Sequence, residues 1–324
     1  MKRLISLLLC ALLIVPALAE DAPDFEPIPW DTKVSPNLPN PDCYLPNNGG
    51  YHDDSIDIQI NVTYWTQDLQ QVDAPGEGTT TVMSARVKLT DVSQFRTGFA
   101  NKYPSKQARH VNDMTKRFNA VMGIDGDYCL YHEQGIVVRN GQTLRMRPHK
   151  GRDELIVDEN GDFHLITCTT QAKWDEYIAG GGTVLHAFWF GPALVVDGVP
   201  LTNLDDVTID NGKAKKAQRM VIGQIGKLEY LILTNEGPES TAPKSVGFDL
   251  VQMANLCVQF GLDNAYNLDG GSSSTIALNN QKINSPSSHK NRMVGDCIWF
   301  ATLVKEETWR EKESVQTVEV EENK

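Results

Sequence analysis

The chain reads as an α+β protein: a single domain of mixed or antiparallel sheets with few helices. Three observations carry that expectation. Short apolar or alternating runs recur along most of the 324 residues, the period-two pattern of half-buried strands. Asn-Gly and Asp-Gly pairs sit between several of these runs, where hairpin turns need positive φ. Helical spacing shows in two segments, and strand does not alternate with helix as a doubly wound sheet requires.

The elements follow in order. Met1-Lys2-Arg3, the apolar run Leu4–Val15 and the small residues Ala17-Leu18-Ala19 have the layout of a secretory signal peptide over residues 1–19. That run is short for a bilayer span, so no integral membrane segment is expected once the signal is removed. Residues 20–50 are rich in Pro, Asn and Asp and read as a linker or extended arm. The domain is expected over residues 51–305. Ile56, Ile58, Ile60 and Val62 alternate within a strand, and Val82–Leu89 follows as another. Ser105–Phe118 carries Val111, Met114 and Phe118 at helical spacing behind Pro104. Hairpins are expected at Asn140-Gly141, at Asn160-Gly161, at Asp197-Gly198 after the apolar run Val184–Val196, and around Gly226. Val246–Phe260 is the clearest helix, with Ser245 as candidate N-cap and Gly261 as the stop. Ile298–Val304 is a last strand, and residues 306–324 form a charged tail.

Composition narrows the function classes. The formal charge is −12, and loss of Lys2 and Arg3 with the signal makes it −14. Such a chain is poorly suited to nucleic acid or to anionic membranes. Five cysteines remain after Cys10 is removed, dispersed and without a Cys-x-x-Cys pair, so a structural zinc site is not expected. Cys257 and Cys297 read as small buried hydrophobes.

Three places hold residues suited to chemistry. The first is Asn267-Leu268-Asp269-Gly270-Gly271-Ser272-Ser273-Ser274-Thr275, a polar run bracketed by apolar segments. It reads either as a turn between core strands that presents one carboxylate among hydroxyls, or as an Asp-Gly hairpin between edge strands. The second is Asp125-Gly126-Asp127, two carboxylates one residue apart on a strand. Close like charges raise a pKa or share a cation, so a divalent ion such as calcium is an option there, though no cofactor is required. A strand-end turn is the alternative. The third is Arg219 at the head of Met220-Val221-Ile222-Gly223, either a bidentate phosphate ligand or a surface ion pair. Arg139, Arg145, Arg147, His149, Lys150 and Arg152 make a basic segment that attracts an anionic substrate or simply faces water. His186 reads as a core histidine. No Gly-x-Ser-x-Gly elbow supports a serine hydrolase.

In their order, four blocks resemble the phosphodiester glycosidase family: Ile124–Tyr128, Phe190–Leu194 with Asp197-Gly198, Arg219–Gly223, and Asn267–Thr275. The resemblance covers roughly Val82–Val304. The family usually has Asn where Asp125 stands, a third Gly where Ser272 stands and often Thr where Met220 stands. The resemblance implies hydrolysis of sugar–phosphodiester bonds, with a glycan or sugar phosphate as partner. A phosphate leaving group is a weak base and needs little general acid; it needs a cation, and an anion beside the oxocarbenium-like carbon. On this expectation Asp269 is the anion and Arg219 the cation. Asp127 or Asp125 activates water or holds a hydroxyl. Gly270, Gly271, Ser273 and Ser274 orient phosphate or sugar oxygens. The leading expectation is an exported glycosidase of the cell envelope; the alternative is a glycan-binding protein without turnover.

Overall fold

A computed structural model of the chain describes residues 25–30, 37–205, 215–238, 240, 244–284 and 291–311. The signal sequence and the end of the charged tail lie outside the described residues. Three antiparallel sheets enclose one core. A ten-stranded sheet runs from Tyr44–Leu45 through Gly50–His52, Ile56–Trp65, Thr80–Leu89, Glu229–Asn235, Arg219–Gly226, Asn264–Asn267 and Ala193–Val196 to Val199–Pro200, with Gln71–Val72 paired to Ile56–Trp65. A second sheet orders Phe163–Ile166, Glu154–Val157, His186–Phe188, Gly135–Arg139 and Gln142–Arg147. A third orders Gln281–Lys282, Ile276–Leu278, Met122–Asp125, Asp296–Phe300 and Phe95–Phe99.

The alternation of side chains explains this arrangement. Ile58, Val87, Ile222 and Ile232 of the first sheet, Leu155 and Phe188 of the second, and Ile124, Ile276 and Ile298 of the third meet in the shared core. The opposite faces are each covered by one helix. Helix α1 (Val111–Phe118) lays Met114 and Phe118 on Ala277, Cys297 and Trp299 of the third sheet. Helix α2 (Gln171–Ala179) lays Trp174 on Ile136, Val138 and Ile156 of the second. Helix α3 (Leu250–Gln259) lays Leu250, Met253 and Cys257 on Val82, Val221 and Leu233 of the first. Among the described residues no helix is long and apolar enough to cross a membrane.

The hairpins at Asn140-Gly141, Asn160-Gly161 and Asp197-Gly198 form as expected. The first and last place both turn residues at positive φ (49° and 75°; 50° and 76°). Several boundaries differ from the expectation. Helix α1 begins at Val111, not Ser105, because the Arg109 backbone is held extended by a two-way bridge to Val294 (3.0 and 2.8 Å). Helix α3 begins at Leu250, since Gly247 has φ +81°. Its N-cap is Asp249, in a capping box with Gln252, while Ser245 Oγ instead accepts from Thr81 N. Gly261, at φ +79°, ends it as expected. The Val184–Val196 run divides at Gly191-Pro192, where proline has no N–H for the ladder. Part of the supposed arm belongs to the sheet: Tyr44–Leu45 pairs with Gly50–His52. The last strand is Asp296–Phe300, and residues 306–311 are helical. Helix α2 went unread because Trp174 is its one fully buried apolar anchor.

Replacing the Asp249 cap with Ala should lower the unfolding free energy by about 1 kcal/mol. Urea denaturation measures it; an unchanged midpoint would remove the cap from the account.

Candidate active site

The Asp269 turn is not a hairpin. Asn264–Asn267 belongs to the ten-stranded sheet and Ile276–Leu278 to the third sheet, so the turn is a crossover between sheets. Its backbone is anchored at both ends. Leu268 N donates to Met220 O (2.8 Å), and Gly271 N to Gln218 O (3.1 Å). Asp269 N donates to Gly126 O (3.2 Å), which seats the turn on the Asp125-Gly126-Asp127 segment. Thr275 N donates to Asp125 Oδ1 (2.8 Å). Gly271 has φ +63°, as the turn demands, whereas Gly270 is extended and its missing side chain admits Gln218 O, 3.0 Å from where a Cβ would stand. Ser272, in the place of a third Gly, does not adopt positive φ, so a side chain fits there without strain.

The two carboxylates of Asp125-Gly126-Asp127 have separate environments, although both are fully buried. Asp127 accepts from Arg139 Nη2 (2.8 Å), Cys129 N (3.1 Å) and Trp189 N (2.8 Å). Burial alone would raise its pKa; the Arg139 charge and these hydrogen bonds outweigh burial and hold it below the usual carboxylate range. Asp125 is pushed well above that range by burial and then by the charge of Asp269. Its Oδ2 is buried and has no hydrogen-bond partner among the described residues. Asp269 is also raised, chiefly by burial, while Ser273, Gly270 N and Arg292 oppose the shift. Asp269 Oδ1 accepts from Gly270 N (2.9 Å), and Oδ2 is buried without a partner among the described residues. The hydroxyl of Ser274 and Oδ1 of Asn267 are likewise buried and unpartnered. Four polar atoms of this kind at one crossover mark a place built to receive polar groups.

The backbone of Arg219 borders Gly270, but its side chain turns towards α3. Its guanidinium donates to Lys215 O (2.7 Å) and Phe248 O (3.4 Å), towards α3, and burial lowers its pKa to about 10. The cation that acts on Asp269 is Arg292, whose N donates to Ser272 O (3.2 Å) and whose Nη1 donates to Ser273 Oγ (3.4 Å). Lys282 is a second cation at the crossover. Its Nζ donates to Ser274 O (3.1 Å) and Thr275 Oγ1 (3.0 Å), and burial pushes it down to about 8 against the pull of Asp125 and Glu236. The Gly270 and Gly271 amides are already engaged by Asp269 Oδ1 and Gln218 O.

Sequence reasoning missed Arg292, Lys282 and Asp296. None has a local pattern; each reaches the site from at least seven residues away along the chain. Asp296 and Arg139 were bound to matter only once the sheets meet. Arg139 Nη2 also donates to Asp296 Oδ2 (3.3 Å), and burial beside Asp127 pushes Asp296 up to about 7. Asp127, Cys129 and Asp296 are the one group among the described residues with ligand atoms close enough for a metal ion; Asp125 is not part of it. Arg139 supplies the positive charge there, and burial keeps the Cys129 thiol protonated, so that donor set suits the guanidinium better than a hard cation. The basic segment divides too: Arg139 is buried here, and Arg152 lies over the Trp189 ring, 4.8 Å from its centre. His186 is the expected core histidine. Its Nδ1 accepts from Asn140 N (3.1 Å), and burial followed by the Arg139 charge lowers its pKa to about 3. A cavity of about 730 Å³ near Trp30 and Arg117 has no carboxylate in its lining and is bordered by Arg139.

Asp296 has a pKa of 3.8 when unperturbed and about 7 in the fold. The folded protein therefore holds a proton that the unfolded chain releases, and stability falls as pH rises from about 4 to about 7. Asp296→Asn should flatten that slope in urea titrations across the window; parallel profiles would refute the assignment.

Comparison with known proteins gives the context. Residues 118–301 match the sequence profile described as phosphodiester glycosidase. No curated protein matches by sequence. Among solved structures, the chain is similar to the zebrafish N-acetylglucosamine-1-phosphodiester alpha-N-acetylglucosaminidase catalytic domain, auto-inhibited by pro-peptide. The TM-score is 0.58 at 15% identity, over 78% of this chain and 86% of that one. It is also similar to a hypothetical protein from Synechocystis, with TM-score 0.51 at 13% identity, over 76% of this chain and 62% of that one. At such identities these likenesses concern the fold. The profile match spans more than half of the chain and contains the Asp125-Gly126-Asp127 segment and the Asp269 crossover, and on that ground the chain belongs to the phosphodiester glycosidase family.

Proposed function

We propose that the protein is an exported glycosidase that hydrolyses sugar-1-phosphodiester bonds in surface glycans or glycolipids. One observation carries the reading: Asp269 is buried at a crossover with one carboxylate oxygen unpartnered among the described residues, next to Arg292 and Ser273. An anion so placed stabilises positive charge at a sugar carbon, or takes a proton from water. Arg292, exposed and anchored through Ser273, is the cation that holds the departing phosphate. This role passes to Arg292 from Arg219, whose guanidinium is turned to backbone carbonyls. Ser274 Oγ and Asn267 Oδ1 take sugar hydroxyls. Asp127 keeps the Trp189 backbone in place and adds fixed negative charge.

Asp125 and Asp269 divide acid and base work. Both are raised, and the charge of Asp269 pushes Asp125 higher still. Asp269 thus ionises first, leaving an interval of pH in which it is an anion while Asp125 keeps its proton. Asp125 donates that proton, or a hydrogen bond, to the leaving oxygen. Because phosphate is a good leaving group, the donation contributes about 10²-fold, the low end of general-acid catalysis.

The test is incubation of the purified protein with an α-linked sugar 1-phosphodiester. Asp269→Asn should lower kcat by about 10³ or more, and Arg292→Gln by about 10². No release by the native protein, or equal release by Asp269→Asn, would overturn the reading. Sugar binding without turnover, unchanged in Asp269→Asn, would favour the glycan-binding alternative.

A pH profile separates the two carboxyls. The rate of the native protein should fall at low pH as Asp269 takes a proton, and at high pH as Asp125 loses one. Asp125→Asn, which cannot titrate, should keep the acid limb and lose the alkaline one. Retention of both limbs would assign the alkaline limb elsewhere.

A further inference from the structure

A second cavity, of about 600 Å³, lies beside Tyr131 and is lined by Tyr103, Lys106, Glu133, Arg145 and Arg147 among others. It absorbs the part of the basic segment that the acid site does not use. Arg145 and Arg147 come from the Gln142–Arg147 strand and Lys106 from the loop ahead of α1. Against these three cations the lining has a single carboxylate, Glu133. The chain as a whole has 42 acidic residues and 30 basic ones, so the charge balance is locally reversed. Neither Lys106 nor Arg147 forms an ion pair among the described residues. Arg145 donates to Cys129 O (2.9 Å) and Gly135 O (3.3 Å), yet its Nη2 is buried without a hydrogen-bond partner.

Aromatic rings supply the other half of the surface. Tyr131 is half-buried and stacks on Tyr128 with centroids 4.4 Å apart. Tyr103 packs on Phe99 at 5.4 Å. Rings fixed in this way offer flat apolar faces at little entropic cost. Arg292 and Asp269 of the crossover are near enough to Tyr131, in the cavity lining, for their charges to act on its phenol.

We propose that this cavity is a subsite for an anionic sugar, one that carries a phosphate or carboxylate besides the group held at the crossover. Tyr131 and Tyr103 face the ring, and Lys106 and Arg147 meet the negative group. If the crossover is a glycosidase site, as argued above, the occupant is the aglycone side of the substrate. Specificity there comes from the extra charge, which adds affinity and speeds encounter without taking part in bond cleavage.

The experiment is titration calorimetry of the full protein with glucose 6-phosphate and with glucuronate, using glucose as the neutral control. At least one anionic probe should bind tenfold or more tightly than glucose. The response to each shows whether phosphate or carboxylate is preferred. The double variant Lys106→Gln/Arg147→Gln should weaken that binding about tenfold or more, as removal of two exposed charges allows, with the unfolding midpoint unchanged. Tyr131→Ala should weaken it as well. No preference for either anion over glucose, or unchanged binding in the double variant, would overturn the proposal. Asp269→Asn should bind the probe as the native protein does. Anion binding with no turnover of phosphodiesters would sink the glycosidase reading and leave the subsite standing. Turnover with no anion preference would do the reverse.

Discussion

The buried guanidinium of Arg139 is the contact on which the site depends. It belongs to the second sheet and reaches Asp296 in the third, along with Asp127 just beyond the Met122–Asp125 strand. Two carboxylates side by side in a dry interior would repel each other. One guanidinium between them, itself under the face of Phe188 at 4.4 Å, makes the junction tolerable. Asp127 is thereby kept ionised and free to take the Trp189 amide. Loss of Arg139 would leave charge buried without a counter-ion, at a cost of about 3–5 kcal/mol. Gly126 fits the same junction, since a Cβ there would stand 2.2 Å from Asp296 Oδ2.

Around that junction the crossover can be polar at its surface and rigid underneath. Its amides are spent on anchoring: to Gly126, Gln218 and Met220 on one side and to Asp125 on the other. The side chains are what remain for a ligand. Asp125, Asp269, Ser274 and Asn267 each keep one buried oxygen without a partner among the described residues. Burial raises the two carboxyls, and the charge of Asp269 raises Asp125 further. Lys282 and Arg292 flank the pair and limit the build-up of negative charge.

Much of the fold was legible because local rules settle it. Alternation identified the long strands, and Asn-Gly or Asp-Gly pairs identified hairpins whose positive φ no other residues adopt as readily. Where tertiary contacts override propensity, local reading failed. Residues 105–110 have helical spacing but are held straight by Val294. Ser245 is a good N-cap residue, yet Gly247 moves the helix start to Asp249. Of the candidate site, Asp125, Asp127, Asp269 and the serines were visible as a polar interruption of apolar sequence. Arg292 and Lys282 were not, because a lone cation on a loop or short strand carries no signal until something is folded against it.

By itself, the sequence determined that short strands would form mixed or antiparallel sheets, that the chain would be acidic, and that the carboxylates and hydroxyls of two short segments would interrupt the core. These follow from side-chain period and the cost of burying polar groups, both local properties. The tertiary structure decided what the segments are for. It made the Asp269 turn a crossover between sheets, turned the Arg219 guanidinium towards α3, set Arg292 against Ser273 and gave the two acids of Asp125-Gly126-Asp127 opposite pKa shifts. Those outcomes depend on which distant charge lies within a few ångströms in a low dielectric, and distance in space is not written in spacing along the chain.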